Sequence, residues 1–248
     1  MKARHRHIIL IVLLAFVLTA RFSVEIGEWY SIVIYPVVSG FLSYAVSWIP
    51  FSLEEIVVVG AVLLLIFIIV NGIRKRRGFV KILFQAFEFL LWIYVWFYIG
   101  WGCNYYRESI YTRLGLERQA YDESVFNDFI TDYSDSLNST YDALPNDLFY
   151  VGYDYFEDHV KDAFAALPPS AGLSAPRQWQ HPKRLLFNEL YSSVGVMGFM
   201  GPFFCETQLN NDLLPWQFHF VYVHEYSHLL GVSCEDEANF WAYTICTR

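Results

Sequence analysis

His224-Glu225-Tyr226-Ser227-His228 lies inside the apolar stretch Leu213–Leu230, and its reading decides how the C-terminal half of this chain folds. Proline is favoured at the first positions of a helix and glycine just past its end, so Pro215 and Gly231 bound one predicted helix over Leu213–Leu230. Residues four apart on a helix share a face, with Cβ atoms about 5–6 Å apart. Two imidazoles at that spacing can reach one metal ion, and Glu225 then stands beside it. The segment is apolar nearly all round, through Phe218, Phe220, Val221, Tyr222, Val223, Leu229 and Leu230, so it is expected to be buried. Two histidines and a glutamate on a buried helix are costly unless hydrogen-bonded, paired or metal-bound. A satisfied hydrogen-bond network in the core is the plainer alternative to a metal site.

Working outward, Ser233 can cap a second helix, with Asp236 at the capping-box position. Glu235 and Glu237 project about 200° apart on that helix, so only one can face the metal. Glu235 is assigned as third ligand beside His224 and His228, and Glu237 is the alternative. Ala238 is small enough to let the two helices approach closely. Asn239, four residues beyond Glu235, is placed to orient its carboxylate. Imidazole and carboxylate ligands together point to zinc.

The chain has 248 residues, of which 55% are hydrophobic and 19% aromatic, too apolar for an ordinary soluble protein. Charge is uneven: residues 1–106 carry nine Lys/Arg against five Glu, and residues 107–248 carry eight against twenty Asp/Glu. The first part reads as a membrane region and the second as an acidic aqueous domain. An acidic domain excludes nucleic-acid binding, which needs basic surface.

Ile8–Ala20 is an apolar run behind Lys2, Arg4 and Arg6, and Thr19-Ala20-Arg21 is a poor cleavage site, so an uncleaved anchor near 8–22 is expected. Ile56–Ile73 and Phe79–Gly100 are the clear spans, the second with Trp92, Tyr94, Trp96, Tyr98 and Trp101 suited to an interfacial belt. Arg74-Lys75-Arg76-Arg77 between them fits the positive-inside rule better than a lipid or nucleic-acid patch. Segment 30–49 is apolar but weakened by Pro36, Gly40 and several Ser and Tyr. If it lies in the interface or re-enters, the N-terminus and the basic loop fall on one side. The expected topology is therefore three crossings near 8–22, 56–73 and 79–100 in the cell membrane, with the domain after Trp101 extracytoplasmic. There a disulfide among Cys103, Cys205, Cys234 and Cys246 is permitted, but spacing leaves the pairing open.

Tyr121–Leu144 has helical spacing, with Asp122 or Ser124 as its cap, and Asn138-Ser139-Thr140 is a weak glycosylation sequon. Tyr153–Leu167 is a second helix, followed by loop to Pro182. Leu185–Tyr191 reads as a strand or short helix. Val194–Leu209 reads as extended, broken by Gly195, Gly198 and Gly201-Pro202.

The site pattern resembles gluzincin-type metallopeptidases, in which His-Glu-x-x-His is joined by a Glu-x-x-Ala-Asp/Asn helix; Glu235-Asp236-Glu237-Ala238-Asn239 matches it. The whole chain is similar to an uncharacterised bacterial family of membrane-anchored, zincin-like proteins, domain of unknown function 3810. The matching pieces are Pro50-Phe51-Ser52, Trp101–Arg107, Gly198–Asn210 with Pro202-Phe203 and Glu206, His224–His228 with Gly231, and Glu235–Phe240. Position 227 departs from the family, with Ser in place of the usual Ala. The family pattern runs on past Arg248, which implies a domain truncated at its C-terminus. Cys234, ten residues after His224, stands where another zincin class places its third ligand, with packing or a disulfide as competing roles. The implied fold class is mainly α, with N-terminal transmembrane helices (residues 1–106) and then a zincin-like α+β domain (107–248) holding a small sheet and an active-site helix.

The expected activity is that of a zinc-dependent metallopeptidase acting on a peptide or protein substrate. His224, His228 and Glu235 would hold Zn2+, whose water has its pKa lowered towards about 7, and Glu225 would take the proton as general base. The extended Gly198–Asn210 stretch is suited to strand addition by a peptide. Glu206 is a candidate for substrate contact, with a structural role as the alternative. The rival is a non-catalytic membrane sensor or scaffold with a structural zinc. Transport is disfavoured because the clear spans hold almost no ionisable residues. Oligomeric state does not follow from the sequence.

Overall fold

A long apolar segment has to satisfy its backbone internally, and the N-terminal half of the chain does so as helices. The computed structural model describes residues 3–143 and 153–247. Helix α1 spans Ala3–Phe22, α2 Val24–Trp29, α3 Tyr35–Val46, α4 Leu53–Arg74 and α5 Phe79–Gly100. Helices α2 and α3 are continuous through a π-helical turn at Tyr30–Ile34. Pro36 follows that turn and has no N–H to donate into it, a recognised cause of local distortion in a helix. The hydroxyls of Ser23 and Ser52 cap α2 and α4.

Among the described residues, four helical stretches are long and apolar enough to cross a membrane by length and composition: Arg4–Phe22, Val24–Val46, Leu53–Arg74 and Phe79–Gly100. Their contacts separate one from the other three. Arg6 near the start of α1 pairs with the buried Glu88 of α5 at 2.7 Å, and Arg6 and Arg77 line one cleft. The N-terminus and the basic loop therefore sit at the same end of the bundle. Segment 24–46 instead follows the C-terminal half along its length. Tyr35 Oη donates to Leu229 O (2.6 Å), Arg177 to Pro36 O (3.2 Å), Trp179 Nε1 to Ser43 Oγ (3.2 Å) and Lys183 Nζ to Val46 O (2.6 Å). It starts and ends on that side, and α4 starts there too, where Ser52 N donates to Arg184 O. Segment 30–49 is thus helical to Val46 and lies against the C-terminal half.

Beyond a 3-10 turn at Gly102–Tyr106 come α6 (Ile110–Leu114), α7 (Glu123–Ala143) and α8 (Tyr153–Ala165). Asp122 accepts from Ser124 N and Val125 N and so caps α7, while the expected end at Leu144 lies outside the described residues. Next are β1 (Lys183–Arg184), α9 (Asn188–Ser193), β2 (Gly198–Gly201), β3 (Glu206–Leu209), α10 (Pro215–Leu229) and α11 (Glu235–Cys246). The strand-or-helix reading of 185–191 thus falls between a two-residue strand and a short helix. The glycine-broken extended stretch becomes an antiparallel hairpin of β2 and β3, with β1 parallel on the far side of β3. The fold is mainly α with one small three-stranded sheet, in which β2 is an edge.

One apolar core joins the two halves. Val17, Tyr30, Tyr35, Trp101 and Cys103 pack in the same cluster as Val223, Tyr226, Leu229, Ala238 and Trp241. The boundary drawn at residue 106 from composition therefore runs through a shared interior. All four cysteines are free thiols, Cys103 and Cys205 buried and Cys234 and Cys246 exposed.

Gly231 stops α10 with φ of +107°, and a Cβ there would meet the Tyr35 ring at 3.3 Å. Gly231→Ala is expected to cost about 1–3 kcal/mol. The measurement is the thermal midpoint of detergent-solubilised protein, and an unchanged midpoint would contradict this account of the helix end.

Candidate metal centre

The last carbonyl groups of a helix lack partners within it. In α10 they are met by side chains from remote segments. Trp101 Nε1 donates to His228 O at 2.9 Å, Tyr35 Oη to Leu229 O at 2.6 Å, and Arg107 Nη1 to Gly231 O at 3.2 Å. Trp101, read from sequence as part of an aromatic belt, is instead buried against this helix end. At the other end Gln217 Oε1 accepts from Leu214 N at 3.0 Å. Helix α10 is thereby held at both ends, with Val221, Tyr222, Val223, Tyr226 and Leu229 buried as expected.

On this helix the two imidazoles come together. His228 Nδ1 lies 2.8 Å from Val232 O, a main-chain acceptor, so that nitrogen carries the proton. His224 Nδ1 lies 3.0 Å from Asn239 Oδ1, which assigns its proton in the same way. Both Nε2 atoms are then bare, and they face each other at 3.1 Å. Glu235 adds its carboxylate, 3.1 Å from His224 Nε2 and 3.6 Å from His228 Nε2. The three atoms form one set of acceptors able to share a cation. Burial holds His228 below the usual imidazole range, which makes a proton a poor substitute. Tetrahedral zinc with bonds of about 2.0–2.1 Å sets its ligands about 3.3–3.4 Å apart, close to these separations. The donor set fits the ion.

The structure brings together His224, His228 and Glu235, as the helical period required. Glu237 is turned away: it is buried, ion-paired with Arg113, and accepts from Trp241 Nε1 at 3.1 Å. Cys234 stays outside the cluster. Two expectations are corrected. Asn239 orients His224 rather than Glu235, because His224 Nδ1 points at α11 while the Glu235 side chain is 77% exposed. Ser233 does not cap α11: its hydroxyl donates to Asn104 O, and Cys234 stands at the cap position without a side-chain bond.

Glu225 is buried beside the cluster. Burial first, and the nearby Glu235 carboxylate second, push its carboxyl up to about 8. A cleft of about 310 Å³ opens in front, lined by His224, Glu225, His228 and Glu235 together with Gly198 and Pro202 of the hairpin and Phe97 and Trp101. A Cβ on Gly198 would come within 2.9 Å of Glu225 Cγ, so glycine lets the edge strand approach the carboxylate. Glu206 lies elsewhere, buried, accepting from Leu53 N and paired with Lys183 at 2.5 Å, and its role is structural.

Trp101, Tyr35, Arg107 and Arg113 were not read from sequence as parts of the site. The Trp101–Arg107 stretch stood out only as a matching piece of the family pattern. The sequence profile described as Protein of unknown function (DUF3810) matches residues 30–248. No curated protein and no solved structure matches the chain.

Glu235→Ala is expected to lose bound metal while remaining folded. Glu237→Ala should keep metal in its folded fraction but lose about 3–5 kcal/mol of stability, because it strands Arg113 in the interior. Asn239→Ala is expected to weaken metal affinity about 10–100-fold. Elemental analysis beside thermal unfolding checks all three; metal lost only in Glu237→Ala would reverse the ligand assignment.

Proposed function

Since the chain belongs to the family described as Protein of unknown function (DUF3810), we propose a function from its own site: a membrane-anchored, zinc-dependent hydrolase of peptide bonds with a zincin-like catalytic domain. One observation carries the reading. Three protein acceptors converge on one point whose remaining side is open to a cleft. Catalytic zinc sites keep such an open position, whereas structural sites are closed by four protein ligands. A structural zinc in a sensor or scaffold would require a fourth ligand, and Cys234, the nearest in sequence, is not in the cluster.

Zinc held by His224, His228 and Glu235 would supply Lewis-acid polarisation of the scissile carbonyl and a water of lowered pKa. The chain's own groups do the rest. Glu225, between the cluster and strand β2, takes a proton from the attacking water and returns it to the leaving nitrogen. The exposed edge of β2 offers main-chain groups along which a peptide can lie as an added strand. Asn239 and Val232 O keep both Nε2 atoms unprotonated and aimed inward.

The bundle contacts support three crossings, α1, α4 and α5, with α2–α3 along the membrane surface under the catalytic half. The N-terminus and the loop Arg74–Arg77 share one end, which the positive-inside rule assigns to the cytoplasm. The metal centre then faces outward.

Glu225→Gln is expected to lower cleavage of a peptide pool by at least about 10²–10⁴-fold while zinc stays bound. Turnover near the wild-type rate would sink the mechanism. In spheroplasts, a membrane-impermeant thiol reagent should label the exposed Cys234 and Cys246 before lysis; labelling only after lysis would reverse the sidedness.

A further inference from the structure

We propose that the substrate is a peptide bearing a single acyl chain, and that the chain is held in an apolar groove among the bundle helices. This rests on the hydrolase and membrane readings above. The groove has a volume of about 770 Å³ and is lined by Leu13 of α1, Val38 and Leu42 of α3, Gly60 and Leu64 of α4, and Trp92 of α5, among others. None of its lining residues is charged. It lies along helices whose outer faces expose residues such as Val62, Leu63 and Phe67, so it opens at hydrocarbon depth.

Size selects the occupant. A twenty-residue helix about 10–12 Å across and 30 Å long occupies roughly 2,400–3,400 Å³, three times the groove or more. A single hydrocarbon chain is the apolar group that fits.

Continuity with the metal cleft says what bears the chain. Along the last turns of α5, Trp96 and Gly100 line the groove while Phe97 and Trp101 line the metal cleft. The β2–β3 turn repeats this division, with Phe203 in the groove and Pro202 in the cleft. The two elements are in direct contact. Trp96 Nε1 donates to Phe203 O at 3.0 Å, and a Cβ on Gly100 would meet Pro202 O at 2.7 Å. The wall between groove and cleft is thus made of adjoining residues of α5 and of the β2–β3 turn. An extended peptide advances about 3.3 Å per residue. With its acyl chain in the groove, the peptide presents bonds in its first few residues to His224, Glu225 and His228.

The test uses the full zinc-loaded chain in lipid nanodiscs and a mixed-sequence peptide pool, half with an N-terminal palmitoyl group and half acetylated. Mass spectrometry should show palmitoylated peptides cut at least about tenfold faster, near the acylated end. Gly60→Phe projects into the groove, since nothing lies within 4 Å of a Cβ there, and should abolish that ratio with zinc retained. Ala61→Leu serves if that variant does not fold. Equal rates on the two pools, or an unchanged ratio in a folded groove variant, would overturn the proposal.

A second arm is independent of turnover. A palmitoyl peptide carrying a diazirine on its chain is photolysed with Glu225→Gln. Labelling should fall on groove residues such as Val38 and Leu64 and be competed by unlabelled palmitoyl peptide. Labelling confined to lipid-facing Phe67 and Val80, or groove labelling that is not competed because phospholipid already fills it, would overturn the proposal. If neither pool is cut while zinc is bound, the hydrolase reading falls and the acyl site is judged by labelling alone.

Discussion

The rest of the structure depends on the carbonyl end of α10. A helix that carries both histidines of the candidate metal centre in its last two turns must end in a defined place, yet its final carbonyls have no partner inside it. Trp101, Tyr35 and Arg107 supply those partners, the first two from the apolar N-terminal half. Arg107 is in turn held by Glu28 at 3.1 Å and donates to Gly172 O at 2.7 Å. Each buried bond of this kind contributes only about 0.5–1.5 kcal/mol net, but an unmet carbonyl in the interior costs about 1–3. The helix end is thus coupled to the N-terminal helices, and the two halves share one core.

A second constraint follows from the first. With both Nδ1 atoms committed to oxygen acceptors, the imidazoles have one tautomer each, and their lone pairs meet at 3.1 Å. The local electrostatics favour positive charge between them. The anionic Glu235 carboxylate adds to that preference while remaining mostly exposed, so the cluster is ordered on the protein side and open on the solvent side. Glu225 sits on the buried side, where its ionisation is disfavoured by the same lack of water. A cation in the cluster would favour the ionised carboxylate by opposite charge.

How much of this was legible in the sequence divides along local and non-local lines. The bounds of α10 followed from Pro215 and Gly231, while the 200° between Glu235 and Glu237 showed only that one of them can face the histidines. The glycines marked breaks in an extended stretch, and the antiparallel pairing of its two strands was not read from them. Asn239 was placed on the right face but given the wrong partner, because helical period says which side a residue faces and not which acceptor lies nearest. Ser233 was misread as a cap because Asn104 O, 129 residues away, outcompetes the local bond. Composition drew a boundary at residue 106, but hydropathy cannot register a tryptophan donating into another half of the chain. Segment 30–49 scores as a span by composition, and its polar contacts along the C-terminal half leave no trace in hydropathy.

The polar start of α4 closes the argument about what shapes the cleft. Three carboxylates gather there, favoured by the positive end of the helix dipole. Glu54 accepts from Phe203 N at 3.1 Å, Glu55 from Leu186 N and Phe187 N at 2.7 and 2.9 Å, and Glu206 from Leu53 N at 3.0 Å. The β2–β3 turn and the strand β1 region are therefore fastened to the first turn of α4 by main-chain N–H groups donating to carboxylates, and α5 buttresses the same turn through Trp96. Strand β2 cannot shift relative to Glu225 without disturbing α4 and α5. The width of the cleft is thus set by how the bundle helices pack, which fixes the edge strand relative to the histidine cluster.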